Sequence, residues 1–129
     1  MIPFMANTYA RRSVGMIGAM VLLAATVQPA WAHAVLVDSV PALAGHVPAG
    51  TVAVHLHYNS RVDRARSRIT LTRPDRSQMV LPISPDGAPD ALESTATLVP
   101  GAYTLRWQVL ATDGHITRGD VAFTVTPAP

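Results

Sequence analysis

An alternation of apolar and polar residues recurs along this chain and limits what it can fold into. Val52, Val54, Leu56 and Tyr58 alternate with Ala53, His55 and His57. Successive side chains of a strand point to opposite faces, so this is a half-buried strand with its histidines turned outward. Ile69 and Leu71 alternate with Thr70 and Thr72, and Met79, Leu81 and Ile83 form another short run. Tyr103, Leu105 and Trp107 alternate with Thr104, Arg106 and Gln108; Val121, Phe123 and Val125 alternate with Ala122, Thr124 and Thr126. Weaker strands are expected over Ala34–Asp38 and Ala91–Val99. Turn formers separate the runs: Val40-Pro41, Pro48-Ala49-Gly50, Arg73-Pro74-Asp75, Pro85-Asp86-Gly87, Pro100-Gly101 and Asp113-Gly114. No stretch carries a helical period. About seven short strands at this spacing predict an all-β, immunoglobulin-like antiparallel β-sandwich. With no cysteine to cross-link it, so small a sandwich depends on tight packing between sheets. Leu56, Tyr103, Trp107 and Phe123 are the expected core.

The first 32 residues have a different character. A polar start ends in Arg11-Arg12, the run Val14–Val27 is uncharged, and Ala30-Trp31-Ala32 is a small-x-small cleavage signal. The apolar run is short of the ~20 residues that span a bilayer. Residues 1–32 are read as a signal peptide cut after Ala32, leaving one domain over 33–129, exported and not membrane-embedded. Ser13-Val14-Gly15 fits a twin-arginine signal poorly, so ordinary secretion is the expected route. The leader also distorts the charge. All ten basic residues are arginine, and from position 33 onward eight arginines face eight acids. The high isoelectric point therefore belongs largely to the leader, and a nucleic-acid partner is not expected.

Cleavage after Ala32 makes His33 the first residue. An N-terminal histidine offers its α-amine and ring Nδ1 together, closing a six-membered chelate ring on one metal. An α-amine has a reference pKa of ~7.7–8.0, far below lysine, and a bound cation favours its unprotonated form. Such a pair suits Cu(II), which takes nitrogen donors in tetragonal geometry. Asp113-Gly114-His115 is the second feature. A D-x-H spacing in an extended segment places carboxylate and imidazole on one side of the chain, and Gly114 permits a sharp turn between them. An ordinary Asp-Gly turn beside a surface histidine is the plain explanation of the tripeptide alone. With His33 it completes a four-donor set of net charge +1 around Cu(II).

Other candidates are weaker. His55-x-His57 projects two imidazoles from one strand face, a second metal site if His46 joins them and solvent-facing filler otherwise. Met79 is read as core. Arg61, Arg64, Arg66 and Arg68 beside Asp63 form a solvated face, or a docking face for an acidic partner. There is no GxSxG, no HExxH and no glycine-rich phosphate loop. No nucleophile or acid–base pair is evident, so the chain is not read as an enzyme.

His33-Ala34-x-Leu36 after the AxA site, then Ser39-x-Pro41-Ala42, resembles the start of mature CopC-type periplasmic copper-binding proteins. Pro100-Gly101-x-Tyr103-x-Leu105-x-Trp107, Asp113-Gly114-His115 and Gly119-x-x-x-Phe123-x-Val125 are similar to that family's C-terminal half. The resemblance covers essentially all of 33–129. It implies an immunoglobulin-like sandwich binding one Cu(II) ion through His33 (amine and ring), Asp113 and His115, with a role in copper resistance or supply. It also implies a CopD-type inner-membrane protein as partner. Two departures stand out. Some members carry a methionine-rich loop for Cu(I), whereas Thr72–Ile83 holds only Met79, so no such site is expected. Some carry an acidic residue near the end of the strand Val52–Tyr58, where this chain reads Tyr58-Asn59-Ser60-Arg61.

The reading is therefore a periplasmic Cu(II)-binding protein that sequesters or delivers copper. Two rivals belong to other classes. A histidine-brace copper oxidase also uses an N-terminal His and a second His on a β-sandwich, but Asp113 would occupy the position such enzymes leave open for oxygen. A metal-free sandwich would dock partners through Arg61–Arg68.

Overall fold

A computed structural model describes residues 33–129. The leader over 1–32 and its cleavage point lie outside the described residues. Eight strands follow in chain order: β1 Leu36–Val40, β2 His46–Pro48, β3 Gly50–Tyr58, β4 Arg68–Thr72, β5 Gln78–Leu81, β6 Ala91–Leu98, β7 Gly101–Leu110 and β8 Ile116–Thr126. They form a three-stranded sheet, β1-β3-β6, and a five-stranded sheet, β2-β8-β7-β4-β5. The two sheets make the expected sandwich.

Alternation accounts for the strands and their inward faces. Val52, Val54, Leu56 and Tyr58 of β3 are buried while His55 and His57 stay half-exposed. Leu56, Tyr103, Trp107 and Phe123 all lie in the core, joined by Ile69, Leu71, Leu105, Val109, Val121 and Val125. Tyr58 and Trp107 meet edge-to-face between the sheets, with ring centroids 5.3 Å apart, and Tyr103 stacks on Phe123 at 5.7 Å. Burial pushes the Tyr58 phenol pKa well above its ordinary value. The Tyr103 hydroxyl donates to the Val99 carbonyl at 2.7 Å, tying β7 back across the turn before it. Met79 packs against the core edge, as expected.

Four elements differ from the expectation, the simplest being β5, which ends at Leu81 and leaves Ile83 outside it. β2 was not foreseen. It pairs in parallel with Thr124–Thr126 of β8, a local exception in an otherwise antiparallel sandwich. Its three residues end at Pro48 and are too few to show a period. β1 lies two residues later than expected, because Ala34 is fully buried and its neighbour Val35 pairs with Asn59. β8 begins at Ile116 rather than near Val121, since its pairing with β7 runs unbroken from Leu110↔Ile116 to Gly101↔Val125. Asp113, Gly114 and His115 therefore sit in a tight hairpin connection.

Candidate metal centre

Two segments far apart in sequence make this site. The first is the β7–β8 hairpin. The Gly114 N–H donates to the Ala111 carbonyl and the Ala111 N–H to the His115 carbonyl, both at 2.9 Å. Gly114 takes φ +88°, a left-handed conformation that favours glycine. The Asp113 carboxylate accepts from the His115 backbone N–H at 3.0 Å, the side-chain-to-backbone turn that aspartate makes two residues on. This corrects the sequence reading. The Asp-x-His segment is a turn, and local hydrogen bonding rather than an extended chain puts carboxylate and imidazole side by side.

The second segment is Ala34 with Val35. The Thr117 hydroxyl of β8 donates to the Ala34 carbonyl at 2.8 Å. Asn59, just past β3, holds Val35 from both sides: its Oδ1 accepts from the Val35 N–H at 2.8 Å, and its own N–H donates to the Val35 carbonyl at 3.0 Å. The chain at His33 is thus held between the two sheets, beside the hairpin.

His33 Nδ1 lies 3.4 Å from Asp113 Oδ2, and His115 Nδ1 lies 3.0 Å from the same oxygen. The two imidazoles meet edge-on, with centroids 4.5 Å apart and planes at 84°. One donor atom from each residue falls within 4.8 Å of the others, the single such three-residue group among the described residues. Donors bonded at ~2.0–2.2 Å to one ion lie about 3 Å apart, so the two contacts to Asp113 Oδ2 fit a shared metal without rearranging the backbone. The Asp113 side chain is 23% exposed against 48% and 64% for His33 and His115, so the carboxylate forms the floor and the rings the open rim. The hydrogen bond from the His115 N–H holds the Asp113 carboxyl below the usual carboxylate range, and the two imidazoles act in the same direction. That keeps the carboxylate charged for a cation. A surface hollow of about 620 Å³ beside Pro74, Tyr103 and Phe123 includes none of the three residues. The candidate donor set lies on the surface and not in that hollow.

The other candidates are not gathered here. His46 is on β2, in the sheet opposite the one that carries His55 and His57, so the three do not form one cluster. Arg64 is turned inward onto the carbonyls of Pro85 and Ala88. Arg66 lies 3.9 Å from Asp63, while Arg61 and Arg68 remain exposed. Asn59 and Thr117 are the site residues that sequence reasoning missed.

A model of the CopC domain matches residues 36–126. The chain belongs to the CopC domain family. Among curated proteins it is 30% identical over 110 residues to protein YobA of Escherichia coli K12, covering 74% of this chain and 80% of that one. Among solved structures it is similar to CopC from Methylosinus trichosporium OB3b, with TM-score 0.67, 30% identity and coverage of 75% of this chain and 97% of that one. It is also similar to PcoC, a methionine-rich copper resistance protein from Escherichia coli, with TM-score 0.61, 25% identity and coverage of 74% and 100%. This CopC domain departs from that methionine-rich description, since Met79 is its one methionine from residue 33 onward.

Proposed function

We propose that this protein binds one Cu(II) ion per chain through His33, Asp113 and His115, and sequesters or delivers copper in the periplasm. The observation that carries the reading is the convergence of His33 and His115 on one oxygen of Asp113. Removal of residues 1–32 frees the His33 amine, which adds a second nitrogen from the same residue. Three nitrogens and one carboxylate oxygen match the preference of Cu(II) for tetragonal N,O coordination. The copper resistance neighbours and the shared CopC domain support copper as the cargo.

An exposed rim allows a partner to reach the ion, and a CopD-type inner-membrane protein is the proposed recipient. No helix among the described residues is long and apolar enough to cross a membrane. Binding without turnover is the proposed activity. Electron paramagnetic resonance of the exported, processed protein with one equivalent of Cu(II) tests this. A tetragonal spectrum with about three nitrogens is expected. A spectrum of hydrated copper, or one unchanged by His33→Ala, would reject the reading.

A further inference from the structure

The outer face of the three-stranded sheet carries a second set of metal-type donors. His55 and His57 are two residues apart on β3, so both project from that face. Glu93 of β6 is the register partner of His55, and its Oε1 lies 3.0 Å from His55 Nδ1. Asp90, just before β6, places Oδ2 3.1 Å from His57 Nε2. On the other side, Asp38 of β1 is the register partner of His57, because β1 carries one extra residue between Leu36 and Asp38. Such a bulge re-aims the side chains that follow it. Asp38 Oδ2 consequently lies 3.6 Å from His57 Nδ1.

Charge on this face is unbalanced. Among the described residues no arginine pairs with Asp38, Asp90 or Glu93; their ionic partners are the two imidazoles. Arg64, whose guanidinium lies near the Gly87 turn beside Glu93, bonds to the Pro85 and Ala88 carbonyls instead. Three carboxylates and two imidazoles are left half-exposed, with nitrogen–oxygen separations of 3.0 and 3.1 Å. Each is a hydrogen-bonded histidine–carboxylate pair, and the two pairs stand apart: no three of these donors lie within 4.8 Å of one another as those of His33, Asp113 and His115 do.

From the donor chemistry and unneutralised charge of this face we propose a second metal site, holding one Zn(II) ion through His55 and His57 with Glu93 and Asp90 completing the set. Two imidazoles with carboxylates suit zinc, while calcium and magnesium take all-oxygen sets. Asp38 does not ligate. It faces the other ring nitrogen of His57, where metal-bound histidines commonly have a carboxylate that fixes the ring. The rings are held by their separate carboxylates without the ion, so capture requires them to turn toward each other. No residue of this set belongs to the His33 centre, and none needs a free amine.

The test is equilibrium dialysis of the exported, processed protein, saturated first with one equivalent of Cu(II), against Zn(II), with both metals counted. One zinc per chain is expected. His55→Gln/His57→Gln should lower zinc affinity at least about tenfold and leave copper retention unchanged, and Asp90→Asn should also weaken zinc. His33→Ala should keep the zinc, which separates this site from the copper centre. No zinc on the copper-loaded protein, zinc retained by the double glutamine variant, or zinc lost in His33→Ala would each overturn the proposal. These side chains are half-exposed, so unchanged thermal unfolding of the variants is the folding control.

Discussion

The Thr117 hydroxyl donates to the Ala34 carbonyl at 2.8 Å, so the strand that follows Asp113 and His115 also holds the residue that follows His33. Asn59 grips the next residue, Val35, through two hydrogen bonds. The proposed ligand triad is therefore pre-organised by two residues outside it. Thr117→Val removes the donor at nearly constant shape and should weaken Cu(II) binding several-fold. A net hydrogen bond is worth roughly 0.5–1.5 kcal/mol. Asn59→Ala should act in the same direction. Thr117→Ser should restore binding. A competition titration reads the affinity, and broadened copper hyperfine lines would report a loosened site. Wild-type affinity and line shape in both Thr117→Val and Asn59→Ala would show that the clamp is irrelevant.

Asp113 does two separable things. It contributes negative charge to the ligand cluster, and it accepts the His115 N–H that shapes the turn. Asp113→Asn keeps an acceptor but loses the charge, whereas Asp113→Ala loses both. Both should lower Cu(II) affinity at least tenfold, about 1.4 kcal/mol. Only the alanine should also release the turn, seen as faster amide exchange at His115. Equal exchange in the two variants would contradict the turn role.

Much of this was legible in the residues. A period of two marks its strands wherever one face is buried, which is why β3, β7 and β8 stand out. His33 and the Asp113–His115 pair were visible because their chemistry is unusual for their place in the chain. Hydrogen bonds from side chains to distant backbone leave no pattern, so Asn59 and Thr117 were invisible as positioning residues. β2 is held by backbone pairing over three residues and has no alternation to read. The carboxylates beside His55 and His57 depend on strand register and on a bulge in β1, which composition does not encode.

Arg106 and Asp120, cross-strand partners on the outer face of the larger sheet, make two parallel hydrogen bonds of 2.8 and 2.9 Å. The Arg106 guanidinium holds the Asp120 carboxyl below the usual carboxylate range. A carboxyl lowered on folding stabilises above its unfolded value, ~3.9, and that contribution is lost as pH falls through the folded value. The pair is exposed and screened by solvent, so its worth is small. Arg106→Gln should lower stability slightly at pH 7, and the difference from wild type should vanish in acid. Denaturant unfolding at both pH values checks the sign. A difference that grew in acid would refute it.

Gly119 lies directly opposite Trp107 in the β7–β8 pairing, and a Cβ there would overlap the indole ring. Trp107 in turn packs on Tyr58 of the other sheet. Gly119→Ala should push the indole out of place and cost about 1–3 kcal/mol, the usual range for overpacking. In a domain of this size each kcal/mol shifts Tm by roughly 4–8 °C. Trp107→Phe in the same chain should recover part of the loss. An unchanged melting temperature in Gly119→Ala would mean the ring shifts freely.

Copper's oxidation state should decide how firmly it is held. The proposed centre offers nitrogen and oxygen, and soft sulfur ligands are what Cu(I) prefers. Met79 cannot supply one from where it sits. It is on β5, at the opposite edge of the larger sheet from β2 and separated from β8 by β4 and β7, and its sulfur accepts from Arg73 at 2.7 Å. Reduction should therefore loosen the ion while the protein fold stays the same, giving delivery a chemical trigger without a conformational change. Titration of reduced copper under argon, set against Cu(II) at the same pH, measures the difference. Affinity for Cu(I) should be at least about a hundredfold weaker, near 2.8 kcal/mol. Met79→Leu should leave both affinities unchanged. Equal affinity in the two states would mean that release needs a competing partner and not an electron.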